Sequence, residues 1–176
     1  ENTRSVVYND FYENSPLTAS AGLDGFVIRN GWSDWKGAGI YNVNASPSLS
    51  NLTISNNYSE GYGAGIANDE ISSPIITNVL ITGNNASYSG GGIWNNDASS
   101  PVLTNVTLSG NRAEEGGGIY NDGNKDLPTI RNSIIYGNSS SINNLEEVKS
   151  YIRNSMVEGL HDVANGNISS VNPLFV

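Results

Sequence analysis

The sequence contains no cysteine among its 176 residues, so no disulfide framework can stabilise the fold. Basic residues are also few: 8 lysines and arginines stand against 17 aspartates and glutamates, which gives a net charge of −9. Because nucleic acids and anionic membrane surfaces attract basic proteins, this balance argues against both as partners. The absence of cysteine leaves the cellular compartment open, since bacterial surface proteins commonly lack it as well.

Long hydrophobic runs and histidines are scarce too. No apolar run approaches the roughly 18 residues that a membrane span needs, so direct membrane insertion is not expected. The given residues contain no signal-peptide pattern and start abruptly at Glu1, so we expect a mature protein or an excised piece of a larger one. The single histidine, His161, has no serine or cysteine partner pattern around it, so neither a catalytic triad nor a metal site is expected there.

A repeated pattern dominates the rest of the chain. Its first anchor is Gly-Ile-X-Asn, which occurs at 39–42, 65–68, 92–95 and 118–121. Each copy is followed by a proline and, four residues later, by an asparagine. These pairs recur every 27 residues: Pro47 and Asn51, Pro74 and Asn78, Pro101 and Asn105, Pro128 and Asn132. A fixed period of this size indicates structural units that stack on one another.

Each repeat contains three short runs of alternating apolar residues, which are too short for helices and rich in β-branched side chains. Three short strands in about 27 residues describe one coil of a parallel β-helix, in which equivalent strands pair about 4.8 Å apart. The pattern therefore predicts an all-β solenoid with three stacked sheets. Equivalent inward side chains should form columns, the first of which contains Ile40, Ile66, Ile93 and Ile119.

Two sets of asparagines mark the corners between strands. Asn51, Asn78, Asn105 and Asn132 each separate two strands without a spacer. A bend that sharp needs a residue with positive φ, which Asn tolerates well, so we expect a left-handed residue there and a hydrogen-bonded ladder along the axis. The last asparagines of the copies, Asn57, Asn84, Asn111 and Asn138, are expected to do the same at the next corner. A structural role is favoured over a catalytic one for all of them.

The chain is expected to form a single domain over residues 1–176. Residues 1–36 make a divergent first coil, residues 37–138 make four regular coils, and residues 139–176 make a degenerate terminal coil and cap. In the first coil, Val7, Leu23 and Ile28 take the inward positions, and Trp32–Lys36 forms a corner loop. The N-terminal end of the predicted solenoid has no obvious cap over its unpaired strands, so the chain is expected to be a fragment of a larger protein.

The anchors resemble known repeats. The patterns Gly-Gly-[Ile/Val]-[Tyr/Trp]-Asn and [Ile/Leu]-x-x-Asn are similar to the repeats of chlamydial polymorphic outer-membrane proteins. More closely, residues 20–176 resemble a family of secreted bacterial right-handed parallel β-helix proteins. Members carry an LDGF-like start, GGGIYN…SPxLTNVxxxGN repeats and a DPLFV-like end, here Leu23–Ile28, the four copies and Asn172–Val176.

This resemblance implies a right-handed single-stranded parallel β-helix of about six coils, similar also to pectate-lyase-like β-helices. It implies an extracellular location or the outer surface of a bacterial cell. It leaves the function open, because such coils serve adhesins, autotransporter passengers and polysaccharide-active enzymes alike.

An outward column of aromatic residues is the most informative candidate site. Tyr41, Trp94 and Tyr120 each follow an inward isoleucine, so alternation points them outward, with Ala67 between the first two. Trp32 and Trp35 lie at the start of the column. Exposed rings at this spacing are typical of a sugar-binding face, because sugar rings stack on them. The alternative is that an overlying loop, at 58–62 or 88–90, covers the column.

Carboxylates are scattered rather than clustered. Asp69, Asp97 and Asp122 follow the first-strand asparagines and should lie about one coil apart on one corner. Asp97 and Asp122 are therefore weak candidates for a calcium site or for residues that flank a sugar. The favoured interpretation is that they form turns. No cofactor is expected, and calcium is the only candidate ion.

These features favour a non-enzymatic, adhesin-like or carbohydrate-binding module of a secreted or cell-surface bacterial protein. The expected partner is a polysaccharide or a host or cell-surface glycan, bound by a monomer. A polysaccharide lyase or glycoside hydrolase of the pectate-lyase-like type is the alternative, and an inert spacer is a third. Clustered Asp, Arg or Lys on one face would favour the enzyme.

Overall fold

The computed structural model of the chain describes residues 5–11, 17–123, 127–143, 145–161, 163 and 165–169. Strands are numbered in chain order, and each is two to four residues long. The first sheet contains β1 (Val7–Asp10), β5 (Ile40–Val43), β9 (Ile66–Asp69), β13 (Ile93–Asn95) and β16 (Ile119–Asn121). The second sheet contains β2 (Gly22–Asp24), β6 (Ser48–Ser50), β10 (Ile75–Thr77), β14 (Val102–Thr104), β17 (Thr129–Arg131) and β19 (Ile152–Arg153).

Two further sheets complete the wall. The third sheet contains β3 (Val27–Arg29), β7 (Thr53–Ser55), β11 (Leu80–Thr82), β15 (Thr107–Ser109), β18 (Ile134–Ile135) and β20 (Met156–Val157). The fourth contains the two-residue strands β4 (Trp32–Ser33), β8 (Tyr58–Ser59) and β12 (Asn85–Ala86). A single helical turn, α1 (Leu145–Val148), and a 3₁₀ turn at Lys149–Tyr151 precede β19.

Every described strand pairing is parallel and joins equivalent residues of neighbouring repeats, as Ile93 pairs with Ile66 and Ile119. The chain is therefore a parallel β-solenoid, and the predicted all-β class is confirmed. The fourth sheet was not predicted. The loop expected at Trp32–Lys36 is wrong for its first two residues, because Trp32 and Ser33 pair with Tyr58 and Ser59.

The coil count differs from the prediction. About six coils were expected, and the second and third sheets do hold six strands each. The first sheet holds five and the fourth only three among the described residues, so the solenoid amounts to about four turns. The cause lies at the C-terminal end, where β18, β19 and β20 are two residues long and the first sheet continues beyond β16 only as an isolated bridge between Ile119 and Ile142. The first coil pairs over as many residues as the regular coils do.

The core fills the inside of the coils with stacked aliphatic side chains. Ile40, Ile66, Ile93 and Ile119 are all fully buried at 0% exposure, as the alternation predicts. The other inward columns are buried as well: Leu49, Ile76, Leu103 and Ile130 on the second sheet, and Ile54, Ile81, Leu108 and Ile135 on the third. Because like residues stack on like, every coil offers its neighbours the same shape.

The corner between the second and third sheets has the predicted geometry. Asn51, Asn78, Asn105 and Asn132 have φ of 53°, 56°, 55° and 50°. Their exposed amides form a ladder, in which Asn78 Nδ2 donates to Asn51 Oδ1 at 3.2 Å and Asn105 Nδ2 donates to Asn78 Oδ1 at 3.0 Å. At the N-terminal end of this ladder, Asp24 accepts a hydrogen bond from Asn51. This bond, and a second from Ser50, lower the pKa of Asp24.

At the next corner the predicted ladder of asparagines is present, but the predicted positive φ at those asparagines is wrong. The left-handed residues there are Asn56, Gly83, Gly110 and Gly137, one position before the asparagines that were expected. Because this preceding residue adopts the left-handed conformation of the turn, the asparagine that follows points its side chain into the solenoid. Asn57, Asn84 and Asn111 are at most 1% exposed and bond to one another through their amides, at 2.8 Å and 3.0 Å.

A third ladder lies under the first sheet. Asn42, Asn68, Asn95 and Asn121, the last residues of the Gly-Ile-X-Asn anchors, are at most 1% exposed. Each Nδ2 of the first three donates to the Oδ1 of the next residue in the series at 2.9 Å. The two buried ladders satisfy polar groups that would otherwise be costly inside the core.

We expect Asn105→Val to destabilise the protein by about 2 kcal/mol, because a β-branched residue is strained at a φ of 55°. Asn105→Gly removes the same exposed amide without the strain and should stay within about 1 kcal/mol of the wild type. Chemical denaturation of the two variants measures the difference. Equal stabilities would show that the amide ladder, and not the backbone conformation, is what this position contributes.

Candidate functional site

The outward column of the first sheet is covered at its centre. Tyr41, Ala67, Trp94 and Tyr120 do occupy the same register position on neighbouring strands. Trp94, however, is only 3% exposed and Ala67 is fully buried. The ring of Tyr62 lies over Trp94 with centroids 5.2 Å apart, and Lys36 Nζ lies 4.6 Å from the Trp94 ring centroid. The prediction that Trp94 is an exposed stacking platform is therefore wrong.

The structure separates the other predicted aromatic residues. Tyr41 and Tyr120 are half-buried, and they lie at opposite ends of the column. Trp32 is 38% exposed but belongs to the fourth sheet, where it pairs with Tyr58. Trp35 is 54% exposed and lies beside Lys36, over the first sheet. Of the five residues, only Tyr41 and Trp35 come together in one depression.

That depression, the Trp35 cleft, has a volume of about 350 Å³. Its described lining consists of Ser5, Tyr8, Ser33, Asp34, Trp35, Lys36 and Tyr41. The rings of Tyr8 and Tyr41 stack with centroids 5.4 Å apart, and Tyr8 is 51% exposed. Aromatic surfaces alternating with hydroxyl and charged groups are typical of small-molecule sites that bind ligands with both apolar and polar faces.

An ion pair connects the lining of the Trp35 cleft with the buried Trp94, because Lys36 lines the cleft and also lies over the Trp94 ring. Lys36 Nζ and Asp69 Oδ2 are 2.6 Å apart, with side chains 16% and 7% exposed. Tyr41 OH donates to the same oxygen at 3.2 Å, and Asn96 Nδ2 donates to Asp69 Oδ1 at 2.8 Å. The network holds Lys36 over Trp94 and fixes the Tyr41 ring that lines the cleft.

Burial works against the charge on Asp69 and by itself raises its pKa. Hydrogen bonds from Lys36 and Asn96, together with the Lys36 charge, outweigh burial, so the pKa lies below its usual value. A carboxyl with a depressed pKa stabilises the fold above its unfolded-state pKa and loses that contribution as pH falls through the folded-state pKa. For Tyr41, burial and then the charge of Asp69 raise the pKa, so the phenol stays protonated at neutral pH.

A short row of rings extends from the cleft along the solenoid axis. The rings of Trp35 and Tyr62 meet edge to face with centroids 5.4 Å apart, and those of Tyr62 and Tyr88 are 5.7 Å apart. Tyr88 is 50% exposed. Tyr62 and Tyr88 lie in the loops at 58–62 and 88–90 that were named as the alternative cover of the column, but the row of rings that they form with Trp35 was not predicted, because alternation along a strand does not apply in loops.

The profile described as a right-handed β-helix region matches residues 2–171. The chain belongs to the right-handed β-helix family. Comparison with curated proteins and with solved structures returned no match. Membership explains the stacked coils and the inward columns, but it assigns no ligand to the Trp35 cleft, because one fold carries many functions.

The weak metal candidates of this β-helix do not come together. Strand register places Asp122 in the column of Asn96 and Asp69, whereas Asp97 lies one residue further, in a turn with φ of 48°. Asn96 Nδ2 donates to Asp97 Oδ2 at 3.0 Å. Over the described residues, no group of three or more potential ligands is positioned to hold a metal ion. The expectation that Asp69, Asp97 and Asp122 occupy equivalent places is wrong for Asp97.

Two other findings concern the rest of the β-helix. No helix in the described part of the chain is both long enough and apolar enough to cross a membrane. His161 is exposed, and the C-terminal motif Asn172–Val176 lies outside the described residues.

Proposed function

We propose that this β-helix is a non-enzymatic carbohydrate-binding module of a secreted or cell-surface bacterial protein, and that the Trp35 cleft receives the sugar. The observation that supports it is the combination of exposed rings and polar groups in one cleft. Trp35 and Tyr8 are each more than half exposed, and Ser33, Asp34 and Lys36 lie between or beside them. Sugar rings stack on aromatic faces while their hydroxyls bond to neighbouring polar groups.

The charges in the cleft favour a neutral glycan. Lys36 is the only basic side chain in the described lining, and Asp69 already neutralises it at 2.6 Å. Asp34 has no such partner among the described ion pairs, so the cleft has a surplus of negative charge. Uronic-acid polymers would place a carboxylate against it, which costs affinity. The proposed ligand is therefore an uncharged polysaccharide, bound by stacking.

The same cleft offers little for catalysis by a polysaccharide lyase or glycosidase. Glycoside hydrolysis needs two carboxyl groups on either side of the scissile bond. Asp34 is the only carboxylate in the described lining of the Trp35 cleft. The resemblance of the repeats to those of chlamydial outer-membrane proteins supports the proposal of a surface-exposed module that serves binding or adhesion.

We expect Trp35→Ala to weaken binding of a neutral oligosaccharide about tenfold, because one lost stacking contact is worth about 1 kcal/mol or slightly more. Trp32→Ala is the matched control, since Trp32 is a partly exposed tryptophan outside the cleft, and should leave binding unchanged. Calorimetric titration with hexasaccharides of β-1,4-glucan, β-1,4-mannan and polygalacturonate provides the measurement.

Four outcomes would overturn the proposal. If Trp35→Ala and Trp32→Ala weaken binding equally, the Trp35 cleft is not the binding site. Tighter binding of polygalacturonate than of the neutral chains would contradict the charge argument. Release of shortened products from any of the three substrates, absent from a heat-treated sample, would favour the enzymatic alternative, and absence of binding to all three would favour a spacer.

A further inference from the structure

The chain contains two Asn-Gly pairs, Asn30-Gly31 and Asn165-Gly166. In such a pair the glycine nitrogen can attack the side-chain amide of the asparagine, because glycine has no Cβ to hinder the approach. Both pairs lie outside the strands and helices, so the sequence does not distinguish them. The structure does, because the two glycine nitrogens have different surroundings.

The first pair is held in place by hydrogen bonds. Gly31 is buried, and its N–H donates to Asn57 Oδ1 at 2.9 Å. The Gly31 carbonyl accepts from Tyr58 N, also at 2.9 Å, and strands β3 and β4 directly flank the pair. An attacking nitrogen must give up its proton, and here a buried hydrogen bond holds that proton. Reaction at Asn30 therefore requires local unfolding.

The second pair is open to solvent. Gly166 is exposed with φ of 73°, and its N–H has no acceptor among the described residues. Asn165 is partly exposed, and its Oδ1 accepts from Arg153 Nη1 at 3.0 Å. When a nucleophile attacks the amide carbon of Asn165, negative charge develops on Oδ1, and the Arg153 guanidinium stabilises that charge. A free nucleophile and a polarised carbonyl thus lie on neighbouring residues.

We propose that Asn165 is a site of spontaneous modification, where asparagine deamidates and isomerises to isoaspartate. The Gly166 nitrogen loses its proton to hydroxide and forms a bond to Cγ of Asn165. The bond from Cγ to Nδ2 breaks, and the leaving group takes a proton from water and departs as ammonia. Water then opens the cyclic imide at either carbonyl, which gives aspartate or isoaspartate. The reaction needs only water and hydroxide, and it is independent of the Trp35 cleft.

The segment that follows Asn165 covers the last coil. Asn167 is 5% exposed, its Oδ1 accepts from Ser155 N at 3.1 Å, and its Nδ2 donates to Ile152 O at 3.0 Å. Ile168 N donates to Ser155 O at 2.9 Å. An isoaspartyl link lengthens the main chain by a methylene just before these contacts, so they cannot all stay in register. The modification therefore exposes the edges of β19 and β20.

The test follows both pairs in one sample. The chain is kept at mildly alkaline pH and body temperature, and its peptides are analysed by mass spectrometry for the exchange of NH for O. A protein isoaspartyl methyltransferase is the probe for isoaspartate. In the folded protein Asn165 should convert at least about tenfold faster than Asn30, because Asn30 first needs local unfolding. In urea, where that protection is lost, the two sites should convert at similar rates.

Two variants separate the chemistry from its consequence. Asn165→Gln keeps an amide but closes the larger ring far more slowly, so it should gain no isoaspartate at this position. Its melting temperature should stay constant during an incubation in which that of the wild type falls, because the cap remains intact. Arg153→Gln should slow conversion of Asn165 in the folded protein about threefold, because the stabilising charge is lost.

Equal rates at the two pairs in the folded chain, or no conversion at Asn165, would overturn the proposal. A wild-type rate in Arg153→Gln would contradict the role of the guanidinium. A constant melting temperature in fully converted protein would show that the segment after Asn165 does not stabilise the last coil as described.

Discussion

Asn84→Ala should lower the free energy of unfolding by about 4 kcal/mol or more. Asn84 Oδ1 accepts from the backbone N and the Nδ2 of Asn57, at 3.1 and 2.8 Å. Asn84 Nδ2 donates to Ile54 O and to Asn111 Oδ1, both at 3.0 Å. Alanine removes all four bonds and leaves their partners inside the core, where water cannot replace the lost partner, and each orphaned group costs about 1–3 kcal/mol. For a domain of this size the melting temperature should fall by about 10 °C or more.

The exposed ladder provides the matched control for this result. Asn78→Ala removes the same side chain at an exposed corner, where water takes over its bonds to Asn51 and Asn105. Its cost should be about 1–2 kcal/mol, mainly because alanine must adopt the left-handed backbone conformation. Calorimetric melting of both variants decides the matter. If Asn78→Ala proves as damaging as Asn84→Ala, burial of the amide is not the source of the effect.

Trp94→Ala should cost about 3–5 kcal/mol, since it opens a cavity beneath Tyr62 and removes the surface over which Lys36 lies. Loss of that surface also loosens the Lys36–Asp69 pair. Glycan binding in the Trp35 cleft should weaken as well, although Trp94 does not line the cleft, because the pair holds Lys36 and Tyr41, which do.

Trp94→Phe separates packing from hydrogen bonding at this position. Within the described part of the chain, Trp94 Nε1 has no acceptor, so phenylalanine loses no hydrogen bond and keeps a ring beneath Tyr62. We expect it to retain most of the stability that alanine loses. Urea denaturation of the two variants provides the comparison. A wild-type melting curve for Trp94→Ala would show that the ring is not packed as described.

The solenoid was predictable because its rule is local and repeated. Ile40, Leu49 and Ile54 alternate with polar neighbours, and the same alternation returns at a fixed spacing, so strands, inward columns and register follow together. The left-handed corner at Asn51 followed from the lack of any spacer between two strands. Even the divergent first coil obeyed this rule, with Val7 opposite Ile40.

The candidate site was harder to predict because its geometry depends on loops. Alternation points Trp94 outward, as it does Tyr41, but it does not reveal that Tyr62 and Lys36 from preceding coils lie over it. The side chain of Asn57 points inward because the left-handed residue of this corner is Asn56, one position before the one that was predicted. A signal was available, since Asn57, Asn84 and Asn111 recur at 27 residues beside aliphatic columns, but the same spacing fits an exposed ladder.

The buried amide ladders also limit which insertions and deletions the sequence can accept. Leucine and isoleucine columns alone would tolerate a slip of the chain, because one aliphatic side chain replaces another at little cost. An amide such as Asn84 has acceptable neighbours only where another amide faces it one coil away. Insertions or deletions inside the wall are therefore tolerated only as whole coils, while corner loops can vary freely. The solenoid can therefore become longer or shorter only by whole coils, and each added coil extends its exposed face by about 4.8 Å.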